Sequence, residues 1–163
     1  MTKFNIAGLM ALTLLTACST TPVFETEDAA LHLTPQLVQT NPETARGSTV
    51  VWGGIILAST NLEQTTQLEI LAYPLNNKQK PQTDQPPLGR FLVLQSGYLE
   101  TRDYAPGRVV TVLGQVGEIR EGRIGEIDYA YPVVDPTRLH LWRGPGGRPD
   151  TQLHFGVGVV FSN

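Results

Sequence analysis

The chain has a single cysteine, Cys18, among 163 residues, which excludes a disulfide framework. Basic side chains are in the minority, 12 against 15 acidic ones, so the clustered Lys and Arg that drive nucleic-acid binding are missing. After residue 17 no apolar run approaches the ~18 residues of a membrane-spanning helix. There are only three histidines, His32, His140 and His154, and no two are close enough for an HxH or HxxxH metal pair. A G-x-S-x-G elbow, a G-x-G-x-x-G loop and a P-loop are all absent. Hydrolysis needs a nucleophile with an oriented base, and only His140 falls in the central part of the chain. His140 reads as an exposed strand histidine, so no catalytic residue and no metal site are assigned.

What is present begins at the N-terminus. Met1, Thr2 and Lys3 form a short positive stretch, and Ile6 to Leu15 is an apolar run of ten residues interrupted only by Gly8 and Thr13. At roughly 1.5 Å per residue it is too short to span a ~30 Å hydrocarbon core. It ends in Leu15-Thr16-Ala17-Cys18, two small residues followed by cysteine. This is a lipobox: cleavage leaves Cys18 as the first residue, carrying a diacylglycerol on sulfur and an acyl chain such as palmitate on nitrogen. No other cofactor is expected. Each buried methylene contributes about 0.8 kcal/mol, so several chains on one residue form a lasting anchor where one would be marginal. Ser19, in place of an aspartate, fits sorting to the outer membrane of a Gram-negative envelope. Removal of residues 1–17 takes away Lys3 alone among charged residues, moving the formal charge from −3 to −4 and leaving no polybasic second anchor.

The rest reads as four segments, with residues 1–17 the signal peptide, 18–45 a lipidated tether and short helix, 46–142 a β domain, and 143–163 a Gly/Pro linker and final strand. Within the second, residues 19–33 show no sustained period and are expected to be flexible. Thr34-Pro35 predicts an N-cap and a helix over Pro35 to about Thr40, stopped by Asn41-Pro42. Val50 to Ala58 is an apolar strand with the pair Gly53-Gly54, which suggests a bend or bulge. Gln67 to Tyr73 alternates and places Leu68, Ile70 and Ala72 on a buried face. Residues 76–87 are polar and proline-rich, an expected exposed loop.

Arg90 to Gln95 is the third strand, and Arg108 to about Ile119 the longest, turned back at Arg120-Glu121-Gly122. Ile127, Tyr129, Tyr131 and Val133 share one face of the return strand, with Glu126, Asp128 and Ala130 on the other. After an Asp135-Pro136 break, Leu139 to Trp142 is the last core strand. Leu153 to Phe161 alternates again and reads as a strand that pairs with the barrel edge or adds to a partner's sheet. Five or six curved antiparallel strands favour closure, because closure hides the edges. The fold class expected is all-β, a small antiparallel OB-like barrel with a short N-terminal helix and a flexible lipid tether.

Trp52-Gly53-Gly54, Leu71-Ala72-Tyr73-Pro74-Leu75, Leu88-Gly89-Arg90-Phe91, Tyr104-Ala105-Pro106-Gly107-Arg108, Tyr129-Ala130-Tyr131-Pro132-Val133 and Leu139-His140-Leu141-Trp142 stand in the order and near the spacing of the Slp family. The chain resembles that family from about residue 30 to Trp142, in addition to the lipobox. The resemblance implies a small outer-membrane lipoprotein associated with starvation and stationary phase. It supplies no reaction. The function expected is therefore non-enzymatic support of the cell envelope under stress through protein contacts, with the domain facing the periplasm. The alternative is a binding module that captures a glycan, peptide or lipid fragment. For either, the candidate ligand or partner surface is Trp52, Tyr98, Tyr104, Tyr129, Tyr131 and Trp142, because aromatics beside a barrel mouth stack sugars or peptides. Filling the core is the competing reading of the same six.

Overall fold

A computed structural model describes residues 21–25 and 27–143, and the backbone of 151–154. The lipobox, the linker after Arg143 and the chain beyond His154 lie outside the described residues. The elements in order are α1 (Pro35–Thr40), α2 (Pro42–Ala45), β1 (Thr49–Asn61), β2 (Thr65–Ala72), β3 (Arg90–Ser96), β4 (Val109–Ile124), β5 (Ile127–Leu141) and β6 (Thr151–His154). Antiparallel pairing joins β3, β2, β1, β4, β5 and β6 in that order, and a parallel pairing of β3 with β5 closes the first five into a barrel. Going round, the order 1-2-3-5-4 is that of the five-stranded OB barrel.

The alternation in β2 buries Leu68, Ile70 and Ala72 as the pattern required. They meet Val50, Trp52, Ile56, Phe91, Val93, Val110 and Val112 in one core. Thr34 caps α1, its hydroxyl accepting from the Leu37 N–H at 3.2 Å. Asn41-Pro42 ends that helix, and Pro42 starts a second, single-turn one. Val38 of α1 enters the barrel core where β1 and β3 begin. The connection after β3 closes the opposite end with Leu99 and Tyr104.

Four local expectations change. The segment expected to be a tether is folded from Phe24 onward. Phe24 is buried under the Arg138 guanidinium, 5.0 Å from the ring centroid, and its backbone N–H and C=O both bond the Gln79 side chain, at 2.8 and 3.0 Å. A side-chain amide offers N–H donors and an acceptor oxygen side by side, so it pairs with a single residue's backbone as a neighbouring strand would. The 76–87 loop, expected to be exposed, therefore buries Gln79 and Pro81, and the Gln79 carbonyl accepts from Thr111 at 2.7 Å.

The turn after the longest strand lies at Gly125-Glu126, not at 120–122, because Arg120 and Gly122 go on pairing with Tyr131 and Tyr129. Gly125 has φ +63°, the only positive value in that two-residue turn, as a type II′ hairpin demands of its first position. Finally, Asp135-Pro136 does not break the return strand. Pro136 has no N–H to give, and it lies opposite Gly114 at a register shift where Thr137 is the extra residue of β5, a bulge that tolerates the lost ladder bond.

Bulges also occur in β1 at Leu57 and in β4 between Val116 and Ile119. Gly53-Gly54 is not the bulge. Gly54 sits where β1 and β2 cross so closely that a Cβ would overlap the Leu71 carbonyl. β6 pairs with β5 at Arg138–Leu141, so the described part of the final strand extends the barrel's own sheet.

Tyr104 supplies a pH test of the core. Its hydroxyl is buried without a hydrogen-bond partner among the described residues, and burial, aided by the Asp103 charge, pushes its pKa up from 10.0 to about 12. The fold thus favours the neutral phenol. That contribution is complete below the ordinary pKa and is lost as pH rises through about 12. Between those limits the urea midpoint of the protein is expected to fall by the equivalent of roughly 2 kcal/mol more than that of Tyr104→Phe. At neutral pH the Phe variant should be at least as stable, since it removes an unpaired buried hydroxyl.

Candidate functional site

The six aromatic candidates do not converge. Trp52 is in the core, edge-on to Phe91 with centroids 5.2 Å apart, and its Nε1–H donates to the Leu33 carbonyl at 2.8 Å. Trp142 is buried across the sheet, donating to Thr111 Oγ1 at 2.8 Å. Tyr104 plugs the far end. Tyr98 is exposed on the loop after β3. Only Tyr129 and Tyr131 touch, 4.7 Å between centroids, and both are tied into the barrel wall. The Tyr129 hydroxyl accepts from the Arg90 N–H at 2.8 Å, while the Tyr131 hydroxyl donates to Glu69, 3.2 Å away. Glu69 also takes the Arg90 guanidinium at 2.7 Å, a hydrogen bond that raises the Arg90 pKa further. Burial, with Glu69 beside it, raises that of Tyr131. These contacts lock β2, β3 and β5 together and tie the hydroxyls of both Tyr129 and Tyr131 into the wall.

His140 is not exposed, as expected from the strand pattern, but buried with its ring 4.3 Å from Trp142. Leu139 and Leu141 on either side of it enter the barrel core, so His140 lies on the outer face beside Thr111 and Trp142, where the segment around Gln79 covers the sheet. His32 is exposed on the arm, and His154 lies in β6. Residue 154 pairs with Arg138, two residues from His140 on the adjacent strand, while His32 stands apart from both. Glu126 and Asp128 are solvent-exposed, Asp128 pairing loosely with Arg123 at 3.7 Å. Among the described residues no cluster of His, Cys, Asp or Glu is suited to a metal.

A well-formed concavity lies elsewhere. A cleft of about 510 Å³ opens between the N-terminal arm, the start of β1 and the chain leaving β2. Its floor is Val51, Trp52, Gly53 and Ala72, all buried. Leu33, Pro35, Tyr73, Leu75 and Leu88 form the walls, and the exposed residues Pro22, Leu31, Asn76 and Asn77 form the mouth. No lining residue is charged. The size falls within the usual range of small-molecule sites, which are mostly apolar with a few polar groups. Of the aromatic candidates it includes Trp52 alone. Tyr73, the second ring, continues the apolar stretch of β2 beyond the last paired residue, and that overrun is the one sequence signal for the cleft. Nothing in the pattern of 19–33 signals that the arm supplies a wall.

Comparison with known proteins adds the wider setting. The model of the outer membrane lipoprotein Slp family matches residues 15–155, nearly all of the chain after the apolar run. The chain belongs to the Slp family. Among similar proteins, the uncharacterized lipoprotein YeaY of Escherichia coli is 32% identical over 146 residues, covering 86% of this chain and 72% of YeaY. Outer membrane protein Slp of Escherichia coli is 28% identical over 131 residues, 79% of this chain and 69% of that protein. An uncharacterized protein of Haemophilus influenzae is 34% identical over 100 residues, 61% of this chain, and the match spans about half of that relative, 54%. No solved structure matches. Membership in the Slp family makes this an outer membrane lipoprotein. No helix among the described residues is long and apolar enough to cross a membrane.

Proposed function

We propose that this Slp-family lipoprotein is held at the outer membrane by acyl chains on Cys18, with Ser19 directing its sorting. Its barrel faces the periplasm and supports the envelope in starvation or stationary phase through contacts with another protein, without catalysis. One observation carries the protein-contact reading. Leu62, in the β1–β2 turn, and Tyr98, after β3, are large apolar side chains left 49% and 68% exposed. Both loops stand at the end of the barrel opposite the start of β1, separated from it by the length of β2, about 23 Å at ~3.3 Å per residue. Thr66 fastens them together, donating to Asn61 or to the Gly97 carbonyl and accepting from the Leu99 N–H at 2.9 Å. The arm that leads to Cys18 packs at the other end. An apolar, braced tip pointing away from the lipid suits a partner's surface.

Photocrosslinking tests this. With p-benzoylphenylalanine at position 98, irradiation of intact stationary-phase cells should yield one discrete protein adduct, absent when the same group replaces exposed Asp84. Identical patterns from both positions would contradict a docking tip.

A second reading, capture of an apolar fragment, is favoured by a different observation. The cleft beside the arm is uncharged and floored by Trp52.

A further inference from the structure

Cys18 and the cleft are neighbours by covalent necessity. Pro22, at the cleft mouth, is the fourth residue after Cys18, so the two are separated by at most ~13 Å of extended chain. The arm cannot swing away from the barrel, because Phe24 is clamped by Gln79 and the Ala30 N–H bonds the Thr49 carbonyl at 2.8 Å. Whatever is attached to Cys18 is therefore presented to this cleft at the high effective concentration a short linker provides.

The chemistry of the lining narrows the guest. An apolar floor calls for hydrocarbon, and the absence of Lys, Arg or His from the lining leaves nothing to pair a carboxylate or phosphate. The polar groups offered at the mouth are the amides of Asn76 and Asn77, with Thr34 also in the lining. Such groups suit an uncharged ester or amide linkage, the kind that joins acyl chains to a lipoprotein cysteine.

We propose that the cleft holds one acyl chain of the protein's own anchor, carried on Cys18. This rests on the reading of the cleft as a site for an apolar guest. One chain withdrawn from the bilayer leaves the others to hold the protein. The mouth, with Leu31 at its edge, is then drawn against the lipid surface, and the barrel stands on the membrane rather than at the end of a tether.

The test uses the native lipoprotein. Cells are fed a fatty acid carrying a terminal diazirine, so that the anchor chains become photoreactive, and the purified protein is reconstituted in vesicles of unlabelled phospholipid and irradiated. The proposal expects an intramolecular adduct joining the Cys18 peptide to a peptide containing Trp52 or Tyr73–Leu75. Adducts confined to vesicle lipid would overturn it. A parallel arm exposes the mature chain bearing Cys18→Ser to a diazirine-labelled lysophospholipid. Labelling of the cleft in that arm alone sinks the own-anchor proposal while sparing the apolar site, and labelling in neither arm removes both.

Discussion

Gly54→Ala is expected to cost about 3 kcal/mol or more of folding free energy, at the upper end of overpacking penalties in a close-packed core. Gly54 lies in β1, the strand between β2 and β4, in register with Ala72 on one side and Val110 on the other. Its added methyl group would meet the Leu71 carbonyl, and backbone in the middle of a ladder cannot rotate aside as a side chain tip can. Relief requires β1 and β2 to separate, which unpairs the hydrogen bonds that hold the barrel wall. Against a domain stability of about 5–15 kcal/mol, that is a large fraction. Gly47→Ala is the comparison. Its Cβ meets open space, so only the strain of φ +78° remains, about 1 kcal/mol. Urea titration followed by circular dichroism should order wild type, Gly47→Ala and Gly54→Ala in falling midpoint. Equal losses for the two variants would show that the strand crossing is looser than described.

The second large effect concerns location. Cys18→Ser is expected to move the protein from the membrane fraction to the soluble fraction with the circular dichroism spectrum of a folded barrel retained. Each methylene in the bilayer contributes about 0.8 kcal/mol, so loss of all the chains removes far more binding than any surface contact can restore. The excess of acidic side chains offers no electrostatic substitute on an anionic surface. The barrel core, by contrast, is built among the described residues from Leu33 and Val38 onward. A variant that stays with the membrane would mean that a protein partner or the barrel itself supplies the attachment.

Much of this architecture was legible because local chemistry and tertiary packing agree. The Thr34-Pro35 cap and the alternation in β2 are decided within a few residues, and they fold where the pattern puts them. Closure was legible too, since curved strands with glycine and few edge defences have little alternative. The misplacements all arise where a distant residue decides. Asp135-Pro136 looks like a break until Gly114 on β4 makes room for it. Arg120-Glu121-Gly122 looks like a turn until Tyr131 and Tyr129 pair with it. Phe24 and Gln79, 55 residues apart, each sit in stretches of low apolar content, and only their mutual hydrogen bonds turn an apparent tether and an apparent loop into a packed wall.

The site shows the same division. Aromatic residues were reasonable candidates by type, yet the barrel uses Trp52, Tyr104, Tyr131 and Trp142 for its own interior and seams. The concavity is instead made where the arm meets the end of β2, a junction between segments more than 30 residues apart in the chain. What survives from the sequence reading is Tyr98 as an exposed ring and Cys18 as the point of attachment to be tested. Tyr98 and the described arm that follows Cys18 in sequence stand toward opposite ends of the barrel.

The central claim is covalent lipid on Cys18 as the bond between this barrel and the outer membrane. Growth on labelled palmitate, followed by isolation of the protein and mapping of the label, tests it directly. The account predicts label confined to an N-terminal peptide that begins at Cys18, in protein recovered from the outer membrane. An unlabelled polypeptide sedimenting with that membrane would contradict it.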